Sequence, residues 1–189
     1  MSTELLKVKE SLTLTKGSLL DVIKQRQAQR TTMLLIDYSG SMDSPAEQGS
    51  NTRKIDALRG IAQQLKQDLP QLPQIGFGRR VGFIETVPEP DGMTPLTEGM
   101  EFAQQHHAGH LIVVSDGMPD DPQGALAVAR TFGGPIDVFY VGPRPSEGED
   151  FLRQLSQASG GQFASTTLAQ PKQLETRIRG LLGAGKGPK

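Results

Sequence analysis

Runs of consecutive apolar residues, each bounded by polar or turn-forming residues, recur along this chain. Such runs predict strands that are buried on both faces of a sheet. The clearest lie at positions 32–36, 110–115 and 136–141, and a shorter run lies at 162–165. These four segments predict the centre of a sheet and one of its outer strands.

Two further short runs, 74–77 and 81–86, flank a tight turn at 78–80. This arrangement predicts a hairpin, which is the only antiparallel element that the pattern indicates. Pro88 and Pro90 follow the second run closely and favour a place for it at the edge of the sheet.

Apolar residues at helical spacing fill the intervals between these runs. Most of the predicted helices begin at a capping residue or a proline, and most end near a glycine or a proline. In particular, we expect Thr94 to cap its helix, with Pro95 at the first helical position. The predicted helices span 18–29, 52–68, 94–109, 121–133, 146–160 and a last segment from Pro171.

Strands that alternate with helices predict an α/β fold. We expect a Rossmann-like, doubly wound and mostly parallel sheet of about six strands, with one antiparallel edge strand and helices on both faces. The predicted organisation is an N-terminal extension at 1–30 with a short strand and a helix, a main domain at 31–183, and a flexible tail at 184–189.

Composition narrows the class of protein. The 189 residues are 35% hydrophobic and carry a net charge of −1, which gives no electrostatic footprint for nucleic acid or an anionic membrane. No apolar stretch is long enough to span a membrane, and the first residues lack the apolar core of a secretory signal. Because cysteine is absent, disulfides and thiolate metal sites are excluded, and we expect a cytoplasmic protein.

Polar groups follow the first central strand at regular spacing. Asp37 comes directly after the run 32–36, and Ser39 and Ser41 follow it on alternate residues around Gly40. Oxygen ligands on a turn suit a hard divalent cation such as Mg²⁺. An ordinary solvated Asp-Ser-Gly turn explains the same three residues, so this motif alone leaves both interpretations open.

Two more oxygen groups are expected at the same edge of the sheet. Asp116 follows the buried run 110–115, and in a doubly wound sheet the ends of the central strands meet in one crevice. Thr94 precedes a helix in the segment D-G-M-T-P-L-T. Turn chemistry alone explains Asp116, and helix capping alone explains Thr94.

The order of these parts resembles the von Willebrand factor type A domain: D-x-S-x-S, then a threonine before a helix, then S-D-G after a buried strand. The segment G-E-D-F-L-R-Q-L-S-Q-A-S-G-G-Q-F is also similar to the family's last helix–strand unit. The resemblance implies a metal-ion-dependent adhesion site that binds Mg²⁺, with Mn²⁺ or Ca²⁺ as alternatives. Its residues here are Asp37, Ser39, Ser41, Thr94 and Asp116.

The resemblance also implies a function without catalysis, in which a Glu or Asp of a partner protein completes the coordination of the metal. The segment G-M-T-P-L-T-E-G-M looks like the corresponding stretch of bacterial proteins that act beside AAA+ ATPases of the MoxR and metal-chelatase type. An adaptor subunit of such a machine is therefore the alternative. The segment before Thr94 is too short for the extra helix that many family members carry there.

A Mg²⁺-dependent phosphohydrolase is a further alternative. The phosphatase pattern fails because position 39 is serine where a second aspartate is required, and no Walker-type loop is present. His106, His107 and His110 lie within five residues and raise the question of a zinc or base cluster, although a helix end and a strand start explain them as well.

Apolar residues next to the motif suggest a rim for a partner protein. Tyr38, Met42 and Met93 are the candidates for such a rim, although single exposed apolar residues are common and need no function.

Overall fold

The computed structural model describes residues 31–184. The extension predicted at 1–30 and residues 185–189 of the predicted tail lie outside the described residues. The strands are β1 (Thr31–Asp37), β2 (Gln74–Phe77), β3 (Gly82–Phe83), β4 (Ala108–Ser115), β5 (Ile136–Tyr140) and β6 (Phe163–Ser165). The helices are α1 (Lys54–Asp68), α2 (Leu96–Gln105), α3 (Pro122–Thr131), α4 (Glu147–Ala158) and α5 (Pro171–Ala184), with a 3₁₀ turn at Gly40–Asp43.

The six strands form one sheet in the order β3-β2-β1-β4-β5-β6. All neighbouring pairs are parallel except β2 and β3. The predicted α/β fold, with its mostly parallel sheet and one antiparallel edge strand, is therefore confirmed. Strand order reverses between β1 and β4, because the chain leaves β1 toward one edge and later returns to build the other. Ligands of such sheets bind at this point, beyond the carboxyl ends of the strands.

Alternation along β1 divides the core into two layers. Leu34 and Ile36 pack under α1 and α5, whereas Met33 and Leu35 pack under α2, α3 and α4. All four side chains are buried, so β1 is covered on both faces, as its continuous apolar run predicts. Helices therefore cover both faces of the sheet, and β1 is one of its two central strands.

Several boundaries differ from the sequence predictions, and three of them have a clear structural reason. Strand β3 contains only two residues, and after one further hydrogen bond, from the Ile84 amide to the Gln74 carbonyl, the chain leaves the sheet edge well before Pro88. Helix α2 begins at Leu96 with Pro95 as its cap, and no side chain caps it, so the predicted capping role of Thr94 is wrong. Strand β4 begins two residues earlier than predicted, because Ala108 already pairs with Thr31 of β1.

Other predicted helix starts are confirmed. The Asp121 carboxylate accepts a hydrogen bond from the Gly124 amide at the start of α3. The Ser146 hydroxyl accepts one from the Glu149 amide at the start of α4. Within residues 31–184, every helix is too short or too polar to cross a membrane.

Candidate metal site

The ends of β1 and β4 bring the predicted acidic residues together. Asp37 is the last residue of β1, and Asp116 directly follows β4. The two strands are parallel neighbours in which Ile36 pairs with Val114. Both carboxylates therefore lie at the point where strand order reverses, which is where the sequence predicted a site.

The Asp37 side chain is fully buried and both of its oxygens accept hydrogen bonds. Oδ1 accepts one from the Ser39 amide at 2.8 Å, and Oδ2 accepts one from the Ser115 hydroxyl at 2.6 Å. Burial, and then the nearby charge of Asp116, raise the pKa of Asp37 to about 6, against the lowering effect of these hydrogen bonds. Burial and the neighbouring carboxylate thus disfavour the charged form of Asp37.

The two serines of the motif join Asp37 to Asp116. The hydroxyls of Ser39 and Ser41 lie 3.1 Å apart, and Ser41 Oγ donates to Asp116 Oδ1 at 2.6 Å. The 3₁₀ turn brings Ser41 back over the strand ends, with the Met42 amide bonded to the Ser39 carbonyl. Four of the five predicted residues are therefore joined by hydrogen bonds, with Asp37 linked through the Ser39 amide and Asp116 through the Ser41 hydroxyl.

The fifth predicted residue, Thr94, is tied to the site through its neighbours and its backbone. The Gly40 amide donates to the Gly92 carbonyl at 3.1 Å, and the Asp120 amide donates to the Thr94 carbonyl at 3.2 Å. The segment that carries Thr94 is thus attached to the D-x-S-x-S turn through Gly92 and to the loop after β4 through Thr94. No hydrogen bond of its hydroxyl joins it to the other four residues, so its part in the site stays a prediction.

Gly92 allows the segment before Thr94 to pass close to the D-x-S-x-S turn and to Arg79. Gly92 has a φ of 83°, and a Cβ atom there would lie 2.7 Å from the backbone of Arg79. Gly40 has no such requirement, since its φ lies outside the left-handed region. The turn at Gly40 has an ordinary 3₁₀ conformation.

Sequence reasoning missed Lys54, the first residue of α1. Its Nζ lies 2.6 Å from Asp116 Oδ2, and the two side chains are only 9% and 1% exposed. It also missed Ser115, which binds Asp37 from the neighbouring strand. The sequence around Lys54, the first residue of an amphipathic helix after a polar loop, gives no indication that its side chain is buried. The position of Ser115 at the end of a buried strand gives little indication that its hydroxyl binds Asp37.

The donor set fits a hard divalent cation. It consists of carboxylate and hydroxyl oxygens, which Mg²⁺ and Mn²⁺ prefer over nitrogen or sulfur ligands. Within residues 31–184, no cluster of three or more His, Cys, Asp or Glu side chains is arranged to hold a metal. A cation at this site would therefore depend on the serine hydroxyls as well as on the two aspartates.

The three histidines have separate surroundings. His106 follows α2 and its ring packs against Phe83 and Phe102, with ring centroids 4.8 and 4.4 Å away. His107 takes a left-handed backbone conformation with a φ of 63°. His110 lies in β4 and contacts Asp137 at 2.8 Å through Nε2. These contacts support the interpretation as a helix end and a strand start.

The predicted apolar rim is largely wrong. Met42 is fully buried, and the Tyr38 ring packs on Gly76 and Gly78, where a Cβ atom would approach it to 3.1 and 2.7 Å. Met93 is exposed, at 68%, and Met118 on the loop after β4 joins it at 42%. The apolar surface beside the site therefore consists of two methionines on different loops.

Comparisons with known proteins agree with this architecture. The sequence matches no family profile and no curated protein. BatB from Bacteroides thetaiotaomicron matches in structure at 14% identity with a TM-score of 0.55, over 82% of this chain and 99% of that one. A manganese-loaded TRAP protein of Plasmodium vivax matches at 20% identity with a TM-score of 0.54, over 76% and 70%.

A von Willebrand factor type A structure from Catenulispora acidiphila matches at 14% identity with a TM-score of 0.54. That match covers 79% of this chain and 42% of the other. Likenesses at this level of identity show the fold. The chain therefore has the fold of a von Willebrand factor type A domain, as its sequence motifs implied.

Proposed function

We propose that this protein is a divalent-cation-dependent module for binding other proteins. The single observation that carries the proposal is the chain of contacts from Asp37 through Ser39 and Ser41 to Asp116, at the switch point of the sheet. The type A fold and the order of the motifs support it. Asp37, Ser39, Ser41, Thr94 and Asp116 are the residues that would hold Mg²⁺, with Mn²⁺ or Ca²⁺ as alternatives.

The chemistry of these residues favours recognition of an acidic partner. The hydroxyls are neutral, and the charges of Asp37 and Asp116 are already shared with internal hydrogen-bond donors. A bound cation would be poorly neutralised by this set and would attract a further carboxylate. We therefore propose that a Glu or Asp of a partner protein binds there, with Met93 and Met118 packing against apolar residues around it.

The alternative of an adaptor for an AAA+ ATPase uses the same site and differs in the partner. It rests on the resemblance around Thr94. Hydrolysis of phosphate esters is less well supported, because the residue two places after Asp37 is Ser39, whose hydroxyl contacts Ser41. We therefore propose a binding role without catalysis. Cytoplasmic location stays a prediction, which microscopy of a fluorescently tagged chain would test.

Affinity capture with and without chelator tests the proposal. The immobilised protein is exposed to lysate with Mg²⁺ or with EDTA, and captured proteins are identified by mass spectrometry. We expect a specific protein that is lost with EDTA and with Asp37→Ala. Asp137→Asn is the matched control, because Asp137 is a buried carboxylate outside the site and its loss leaves the D-x-S-x-S contacts intact. Capture that is indifferent to EDTA and to Asp37→Ala would contradict the proposal.

A further inference from the structure

Lys54 lies between the main elements of the site. Its backbone amide donates to the Ser44 carbonyl at 2.9 Å, so the start of α1 is fixed to the loop that follows the 3₁₀ turn. Its side chain runs inward, and Nζ donates to Asp116 Oδ2 at 2.6 Å. Because Ser41 donates to Oδ1 of the same carboxylate, both oxygens of Asp116 have a partner within the chain.

This ion pair differs from the others within residues 31–184. It is the only one there in which both side chains are less than a tenth exposed. Lys66, on the same helix, pairs instead with Glu85, which is 93% exposed. Removing two charges from water is costly, and a buried pair is therefore a weak source of stability. Its placement on a predicted metal ligand points to another role.

We infer that Lys54 is an internal counter-cation of the metal site, which holds Asp116 in the metal-free protein and lowers the affinity of the site for a divalent cation. This inference rests on the proposed function. With Lys54 present, the two carboxylates and the ammonium leave one net negative charge. Without Lys54 the site would carry two negative charges, which would attract a divalent cation more strongly. When no cation is bound, those two charges would repel each other.

Two consequences of opposite sign follow. Loss of the ammonium should tighten metal binding, because a competing positive charge is removed from Asp116. It should also weaken the metal-free fold, because Asp116 would remain buried next to Asp37 without a compensating charge. A lysine that served only to attach α1 to the end of β4 would produce the second effect without the first.

Calorimetric titration with Mg²⁺ alone separates these cases. We expect Lys54→Met to lower the dissociation constant about tenfold or more, and Lys54→Arg, which keeps the charge, to change it far less. Lys66→Met is the matched control from the same helix and should leave the affinity unchanged. Equal or weaker binding by Lys54→Met, beside normal binding by the unaltered protein, would overturn the role of Lys54 and leave the proposed function standing.

Thermal unfolding followed by circular dichroism supplies the second readout. In EDTA, Lys54→Met should unfold about 5 °C or more below the unaltered protein, and saturating Mg²⁺ should remove most of that difference. A difference that persists unchanged in Mg²⁺ would show a structural lysine and overturn the inference. Absence of Mg²⁺ binding by the unaltered protein and by both Lys54 variants would contradict the proposed function itself.

Discussion

Two buried aspartates lie at opposite ends of the same sheet, and their surroundings differ in one respect. Asp37 ends β1, and Asp137 is the second residue of β5. Each accepts hydrogen bonds on both oxygens: Asp37 from Ser39 and Ser115, and Asp137 from Gln162 and His110. The difference is that Asp37 faces a second carboxylate, whereas Asp137 faces an imidazole.

The pKa values follow this difference. Burial alone would raise the pKa of Asp137, but the hydrogen bonds from His110 and from the Gln162 amide hold it below its ordinary value. Burial and the charge of Asp116 raise the pKa of Asp37 to about 6. At the amino end of the sheet, the charge of Asp137 is therefore stabilised by groups of the chain itself. At the carboxyl end, Asp37 and Asp116 leave negative charge that an external cation would neutralise.

The largest effect should come from removing one carboxylate at the carboxyl end. We expect Asp37→Asn or Asp116→Asn to weaken Mg²⁺ binding by two orders of magnitude or more, about 3 kcal/mol, since each removes one of the two negative charges at the site. Asp137→Asn should bind Mg²⁺ like the unaltered protein. Isothermal titration measures all three, and equal affinities across the set would remove the distinction between the two ends.

The next prediction concerns the stability of the metal-free fold, for which the amino end of the sheet should matter more than the carboxyl end. Asp137→Ala should lower the free energy of unfolding by about 3 kcal/mol, because His110 and the Gln162 amide lose a buried partner. Urea denaturation in EDTA measures this loss. Asp37→Asn should lower the free energy of unfolding by less, because it removes the repulsion between Asp37 and Asp116. A larger loss than that of Asp137→Ala would contradict repulsion between the two carboxylates.

The stability of the folded protein should depend on pH through Asp37. The pKa of Asp37 is raised in the folded state from 3.8 to about 6, so the unfolded chain ionises first as pH rises. The stability that protonated Asp37 contributes is thus fully present below about pH 4 and is lost by about pH 6. Relative to Asp37→Asn, the unaltered protein in EDTA should lose on the order of 2–3 kcal/mol across this window. Parallel pH profiles from urea denaturation would contradict the raised pKa.

The smallest effect concerns the partner. Met93→Gln or Met118→Gln should weaken partner binding about fivefold in Mg²⁺, because each removes apolar area beside the site. Phe83→Gln is a suitable control, since Phe83 is exposed on the edge strand β3 and packs against His106 instead. Surface plasmon resonance with the captured partner measures the series, and a larger effect of Phe83→Gln would place the interface at the sheet edge.

Sequence patterns predicted the sheet well because its central strands are buried on both faces and leave continuous apolar runs. They also placed Asp37 and Asp116 at one edge, since the topology of a doubly wound sheet brings those strand ends together. They could not find Lys54, whose burial depends on where α1 begins relative to β4. They misjudged Tyr38, because the two glycines of the neighbouring strand end that admit its ring are far away in the sequence.

Diffraction from crystals grown with Mn²⁺, with data collected to reveal the anomalous signal of manganese, would locate the cation itself. We expect one anomalous peak at the carboxyl ends of β1 and β4, in contact with the hydroxyls of Ser39, Ser41 and Thr94. A peak elsewhere, or no peak at a saturating concentration of Mn²⁺, would contradict this expectation.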